Sequence, residues 1–333
     1  MTGSRTRITV YVPTRERPPL LRQALSCLRS QTLARDRFRV IVADNASADE
    51  TGSVVAEFSD LDVIHLRRER NIGLVANWCG AAAHLDTEFF HFLSDDDLLA
   101  PFHLELALAR MDAEPGLGAF ATGVLYGSGL WERDASRGDL RLGDAWLDPQ
   151  DGICRWTTER WLAAHSIYSA VCINACLVRS DILHGIEPLF DDSLRPIMDR
   201  WLMAQIGARA ICATSPWPTC FLRVHGGNAI HGGGLEDIED VARASAARVL
   251  GLARELGIDL VEFWRVFFAT QATERPDLVT LIERCYPPDL ANRATDGRRG
   301  PGRRLDALPL PSALRRRLRD ARARWRRSRR RRG

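Results

Sequence analysis

Residues 89–101, FFHFLSDDDLLAP, run from a cluster of apolar side chains into three consecutive aspartates and stop at a proline. Phe89, Phe90, Phe92 and Leu93 predict a buried strand, so Asp95, Asp96 and Asp97 fall together where that strand leaves the core. Three carboxylates so close repel one another unless a positive group lies between them. Hard oxygen donors at a strand end suit Mg²⁺ or Mn²⁺. An acidic turn is the equal alternative, because aspartate also favours turns through hydrogen bonds to its own backbone.

Working back towards the amino terminus, the same strand-then-helix alternation recurs. RITVYVP (7–13) reads as a strand, followed by Leu20, Leu21, Ala24, Leu25 and Leu28 at helical spacing. FRVIVAD (38–44) is a second strand with a NASAD turn and a short helix behind it. DVIHLR (62–67) is a third, leading through RNIG into a helix over about residues 74–85. This pattern predicts an α/β layer structure, and in open parallel sheets ligands bind at the carboxyl edge of the strands. The dinucleotide fingerprint G-x-G-x-x-G is absent after the first strand, where PTRERPPL stands instead. The sheet must therefore hold its ligand by another device.

Composition removes further classes of chemistry. All 46 basic residues are arginine. A chain without lysine has neither the amine of a P-loop nor that of a pyridoxal Schiff base. The eight cysteines are scattered through apolar stretches without C-x-x-C spacing, as expected of reduced core residues. The net charge of +3 hides a split, because Arg315–Arg332 carries twelve arginines and one aspartate, leaving the rest of the chain at −8. No secretory signal and no run of about 18 apolar residues is visible, so the expected location is the cytoplasm. The basic tail reads first as a disordered, solvated charge run, with peripheral attachment to the anionic inner face of a membrane as the alternative.

Downstream of the triplet, PFHLELALARM predicts a helix and GLGAFATGVLY a strand. Gly127 to about Arg155, rich in Gly, Asp and Arg, reads as a long excursion. A helix near MDRWLMAQIG and two short strands, ARAICAT and TCFLRVHGG, follow, and then helical periodicity from Leu235 to about Ala269. Beyond Asp277 the signal fades into Pro- and Arg-rich sequence.

Taken together, VYVPTRER (10–17), QTL (31–33), IVADNASADET (41–51), RNIGLVANWCGA (70–81), FLSDDDLLAP (92–101) and FLRVHGGN (221–228) resemble a family 2 glycosyltransferase in order and spacing. The resemblance implies a GT-A fold: a mixed, mostly parallel sheet flanked by helices, here with a helical extension and a basic tail. It implies a transferase domain over 1–230, with a nucleotide-sugar half over about 1–115 and an acceptor half over about 116–230. The helical extension is expected over 231–290 and the tail over 291–333.

By the same resemblance, Asp95 lies near the ribose or metal and Asp96 is the direct metal ligand. Asp97 either assists the metal or caps the following helix. The family's usual acidic motif begins with another aspartate where this chain has Ser94. Asp44 resembles the residue that accepts the N3–H of uracil or thymine, which cytosine lacks. An Asx turn is the alternative for this stretch, expected at Asp49 more than at Asp44. Pro13, Thr14 and Arg15 would flank the base, and Asn71 and Gly73 would shape the third connection, with local turn geometry the alternative for Gly73. His225 is either a structural histidine or a metal ligand, and neutral imidazole suits Mn²⁺ better than Mg²⁺.

The general base is expected in IMDRWLM, where methionine replaces the family's glutamate and leaves Asp199, with Asp191 and Asp192 in reserve. The implied activity is inverting, metal-dependent sugar transfer from a nucleoside diphosphate sugar, UDP or dTDP, to a hydroxyl acceptor. A glycoside hydrolase is the rival enzyme, but it needs two facing carboxylates about 5–9.5 Å apart, which adjacent aspartates do not supply. Nucleic-acid or membrane binding through the arginine tail is the rival outside enzymes, with nucleic acid the lesser of the two.

Overall fold

A computed structural model describes residues 6–127, 152–223, 235–270 and 275–296. The four strands expected from the first hundred residues form one parallel block: β1 (Ile8–Thr14), β2 (Phe38–Asp44), β3 (Val63–Arg67) and β4 (Phe89–Phe92). β1 is central, with β2 and β4 parallel on either side, and β3 lies parallel beyond β2. All seven residues of β1 and all four of β4 are buried, as befits strands covered on both faces. Helix α1 (Pro18–Arg29) opens on a proline at a position where the missing N–H is harmless, and buries Leu21, Ala24, Leu25 and Leu28. Helices α2 (Thr51–Ala56) and α3 (Leu74–Cys79) make the next two crossovers, α3 continuing as a 3₁₀ turn over Gly80–His84.

After the acidic turn come the short β5 (Leu98–Leu99), helix α4 (His103–Ala113) and the long β6 (Leu117–Gly127). The described chain resumes into β7 (Cys154–Trp156), α5 (Thr158–Ile167), β8 (Cys176–Arg179), α6 (Ser180–His184), α7 (Met198–Arg209) and β9 (Ile211–Arg223). The strand order is β3-β2-β1-β4-β8-β6-β9-β5, with β7 paired on β9. The pairs β4–β8, β6–β8, β5–β9 and β7–β9 are antiparallel, while β6–β9 is parallel, so the sheet is mixed.

Two readings of the sequence are corrected. ARAICAT and TCFLRV are one strand, because β9 runs through Pro216 and Pro218 by shifting register against β6. A Cβ at Gly123 would meet the Pro216 carbonyl oxygen at 2.7 Å, so glycine is what lets the irregular stretch lie against β6. The signal also does not end at Asp277: helices cover Pro276–Cys285 and Pro288–Thr295. Their prolines read as breakers in sequence, yet each stands at the first helical position, where proline starts a helix. The second of these helices crosses the boundary expected at 290.

Compact packing divides the chain into one unit of Met1–Leu260 with Arg284–Tyr286 and another of Val261–Glu283 with Pro287–Gly333. The first unit contains the sheet and helix α8 (Leu235–Glu255), whose Arg248 pairs with Asp191. Helices α9 (Leu260–Thr270), α10 (Pro276–Cys285) and α11 (Pro288–Thr295) follow. Within the second unit, Trp264 packs edge-on against Phe267 and stacks on Phe268. Among the described residues no helix is long and apolar enough to cross a membrane. The excursion over 128–151 and the arginine tail lie outside the described residues.

Candidate active site

Parallel pairing sets the site. Thr14 ends β1 directly opposite Asp44 at the end of β2, and Tyr11 lies opposite Phe92 at the end of β4. The chain leaving β4 is tied down by Leu93 N–H donating to the Tyr11 carbonyl at 3.0 Å. Two residues further on, Asp95 meets β1 again, its Oδ2 accepting from Thr14 Oγ1 at 2.6 Å. Three strand ends therefore deliver Thr14, Asp44 and the acidic turn to one carboxyl edge.

The three aspartates are all buried, at 5%, 8% and 5% exposure for Asp95, Asp96 and Asp97. They do not act as a set. Asp95 and Asp96 converge on one guanidinium: Arg17 Nη1 lies 3.4 Å from Asp95 Oδ1 and 3.1 Å from Asp96 Oδ2. Burial, and then the neighbouring Asp96 charge, push the Asp95 carboxyl up to about 6 in spite of Thr14 and Arg17. Two buried carboxylates converging on one cationic nitrogen are an oxygen donor set that fits a divalent cation.

Asp97 is used differently. Its Oδ2 accepts from Asn174 Nδ2 at 2.6 Å and its Oδ1 from the Arg223 backbone N–H at 2.9 Å. Asn174 also accepts from the Ser94 N–H at 3.0 Å, so one amide grips both ends of the turn. The helix-capping role expected of Asp97 is not found: α4 begins at His103, its cap residue is Phe102, and no side chain caps it. Burial and Asp96 raise the Asp97 carboxyl well above the ordinary range. Among the described residues no group of three His, Cys, Asp or Glu forms a ready metal cage. His225 lies outside the described residues.

At the β2 edge, Asp44 is 1% exposed. Its Oδ1 accepts from the Ser47 N–H at 2.8 Å, and its Oδ2 lies 3.1 Å from His65 Nε2. The Asx turn expected mainly of Asp49 is thus made by Asp44 as well, while Asp49 Oδ1 accepts from the Thr51 N–H. Pro13 is buried and Arg15 is exposed beside Glu16, 3.5 Å away.

The third connection is held by a residue the sequence reading passed over. Asn45 Nδ2 donates to Asn71 Oδ1 at 2.8 Å and to the Gly73 carbonyl at 3.2 Å, and its Oδ1 accepts from the Ile72 N–H at 2.9 Å. Gly73 has φ +88°, a conformation that requires glycine, so the turn-geometry reading of Gly73 applies. An asparagine directly after a strand-end aspartate was the available signal, because its amide donates and accepts at once.

Further along the chain, Asp199 sits half-buried in the first turn of α7, where the helix dipole favours a carboxylate. Met198, in place of the family's glutamate, is buried. The next residue, Arg200, is 2% exposed and points its guanidinium at the last carbonyls of α5, donating from Nε to His165 O at 2.6 Å and from Nη2 to Ser166 O. Asp191 is engaged: Oδ1 accepts from Ser193 N–H and Oγ–H, and Oδ2 pairs with Arg248. That guanidinium holds the Asp191 carboxyl down to about 2, too low for a proton acceptor at neutral pH.

Residues 9–157 match the model of glycosyl transferase family 2. Validoxylamine A glucosyltransferase of Streptomyces hygroscopicus subsp. jinggangensis (strain 5008) is 31% identical over 122 residues, 36% of this chain and 29% of the relative. The enzyme of the same name from Streptomyces hygroscopicus subsp. limoneus is 31% identical over 122 residues, 27% of its length. The chain thus spans less than a third of the curated relatives it matches. S. aureus TarS 1–349, solved in complex with UDP-GlcNAc, superposes with a TM-score of 0.61 over 88% of both chains at 18% identity, a likeness of fold. The match over 9–157 thus spans the parallel strands and the acidic turn at their carboxyl edge, where the chain is similar to glycosyl transferase family 2, and the chain has the GT-A fold.

Proposed function

We propose that the protein is an inverting, metal-dependent glycosyltransferase that moves a sugar from UDP or dTDP to a hydroxyl acceptor. The observation that carries this is the convergence of Thr14, Asp44, Asp95 and Asp96 on one carboxyl edge, with Asp95 and Asp96 turned towards a single positive group. Asp44 reads the base. A carboxylate has about four acceptor positions; Ser47 N–H takes one, His65 Nε2 and Arg67 Nε lie 3.1 and 3.9 Å from Oδ2, and the N3–H of a uracil or thymine would take another. Pro13, Thr14 and Arg15 lie along the same edge, and Asn45 fixes the loop of Asn71 and Gly73 beside it.

Asp95 and Asp96, with His225 as the further donor, would hold Mn²⁺ or Mg²⁺. The chemistry supplied by the bound ion is neutralisation of the charge that builds on the departing diphosphate. Asp199 takes the proton of the acceptor hydroxyl, and direct attack from the face opposite the diphosphate inverts the anomeric centre. The named relatives act on validoxylamine A as glucosyltransferases, which favours a glucosyl donor and a natural-product hydroxyl over glycan acceptors. The protein works in the cytoplasm, with the arginine tail, residues 291–333, as its contact to an anionic membrane face.

Equilibrium binding of UDP, dTDP, GDP and CMP, each with and without Mn²⁺, tests the donor assignment. UDP or dTDP should bind and require the ion; preference for GDP or CMP would remove Asp44 as the base reader. The anomeric configuration of the product, read by proton NMR, tests inversion.

A further inference from the structure

Arg17 has a role beyond the assigned metal and base contacts. It stands immediately before α1, and its carbonyl accepts from the Leu20 and Leu21 N–H groups at 3.1 and 3.0 Å, so its backbone is fixed. Its side chain is 37% exposed, whereas those of Asp95 and Asp96 are 7% and 10% exposed. One nitrogen, 3.4 Å from Asp95 Oδ1 and 3.1 Å from Asp96 Oδ2, stands between the two carboxylates, where an ion bridging those oxygens would sit. Charge-assisted hydrogen bonds of this type are usually about 2.7–2.9 Å long, so both carboxylate contacts are at the long end.

We propose that Arg17 is an exchangeable counter-ion: it holds the Asp95–Asp96 pair together before the donor arrives, is displaced by the divalent ion, and then engages the donor's diphosphate. This rests on the metal reading given above. Displacement follows from steric overlap and like-charge repulsion. The second contact follows from the tether. A guanidinium released at a fixed α1 start can only swing locally, and its planar fork matches phosphate oxygens. A helix start ordinarily offers backbone N–H groups to anions. Here Pro18 and Pro19 remove two of them, so recognition of an anion at this end falls to the side chain.

The test uses Mn²⁺ and UDP as probes on full-length protein, by calorimetry and by Mn²⁺ electron paramagnetic resonance. Without nucleotide, Arg17→Gln should bind Mn²⁺ about tenfold more tightly than wild type, a coupling of ordinary size between two ligands of one site. With saturating Mn²⁺, the same variant should bind UDP about tenfold more weakly. Arg17→Lys keeps the charge without the fork and should fall between wild type and Arg17→Gln in both measurements. Circular dichroism and melting confirm that each variant is folded.

If Asp96→Asn weakens Mn²⁺ binding but Arg17→Gln leaves it unchanged or weaker, the counter-ion role is overturned and the metal reading stands. If Arg17→Gln tightens Mn²⁺ without weakening UDP, the transfer to diphosphate is overturned. If Asp96→Asn binds Mn²⁺ as wild type does, the metal reading fails and the counter-ion role fails with it.

Discussion

Two regions of the sheet unit place aspartates near arginines, and they use them in opposite ways. At the donor edge, Asp95 and Asp96 share one half-exposed guanidinium, and burial leaves the Asp95 carboxyl raised to about 6. In the acceptor half, Asp191 has its own arginine and a serine turn, and its carboxyl is held down to about 2. The first arrangement gathers two buried carboxylates on one shared guanidinium, the arrangement on which the proposed cation site rests. The second is saturated and serves to dock α8. Identical residue types thus divide by whether the local charge is closed, a property set by packing and not by composition.

Removing one of the two carboxylates that share Arg17 should have the largest effect. Asp96→Asn keeps volume but removes a charge from the pair facing Arg17, and turnover is expected to fall about 10³-fold, the scale of losing one electrostatic stabiliser at a reacting group. Fold is expected to persist, since the turn is gripped by Asp97, Asn174 and Arg223. Steady-state turnover with and without EDTA checks this. Undiminished turnover in either case would show that the open charge of the donor edge is incidental.

Asp199 is the next point of comparison, because it is the acceptor-half carboxylate for which a chemical role is proposed. Asp199→Asn should lower kcat by about 10²-fold or more while UDP affinity stays within twofold, since the base touches only the acceptor. Asp44→Asn should do the reverse, weakening nucleotide binding first. Loss of kcat in Asp192→Asn with wild-type kcat in Asp199→Asn would move the base one segment earlier in the chain.

How much of this was legible follows from the range of the contacts. β1, β2 and β4 announced themselves as continuous apolar runs ending near Pro13, Asp44 and Asp95, while Thr14 and the separate roles of Asp95 and Asp96 came from the family resemblance. The partners that give Asp97 its role lie 77 and 126 residues away, at Asn174 and Arg223, and no local pattern joins them. Arg17 was visible inside PTRERPPL, but its seat between two aspartates depends on β1 and β4 being parallel neighbours. The late helices were hidden by prolines whose helix-starting position is apparent only once the chain is folded.

Acid should weaken the two halves through another set of groups. His103 at the donor side and His165 in α5 are fully buried, and burial lowers both to about 3 from an ordinary 6.5. A base lowered in the folded state contributes stability that is present above 6.5 and is lost as pH falls from there towards 3, because only the unfolded chain takes the proton. At pH 5 each imidazole therefore costs on the order of 2 kcal/mol relative to pH 7.5. His165 Nδ1 lies 2.9 Å from the Trp161 carbonyl, while Nε2 has no hydrogen-bond partner, so His165→Leu sacrifices little at neutral pH. Urea unfolding at pH 7.5 and 5.0 should show a smaller drop for His165→Leu than for wild type; an equal drop would exclude this imidazole from the acid limb.

The smallest effect is expected where the charge is already closed. Asp191 Oδ2 pairs with Arg248 of α8, and the two side chains are 28% and 37% exposed, so solvent screens the pair. Asp191→Asn should cost about 1 kcal/mol at neutral pH, and less in high salt, as for other partly exposed ion pairs. Stability from this carboxyl is present above its ordinary pKa near 3.8 and is lost as pH falls through about 2, so the variant and wild type should converge in strong acid. Turnover should be unchanged, because a carboxyl held near 2 by its own arginine is a poor proton acceptor. Urea unfolding in 0.05 and 1 M NaCl, with kcat measured on the same preparations, separates the outcomes. A large loss of kcat without loss of stability would mean that the Arg248 pair opens during the reaction, and that the closed charge of the acceptor half resembles the open charge of the donor edge more than its resting geometry shows.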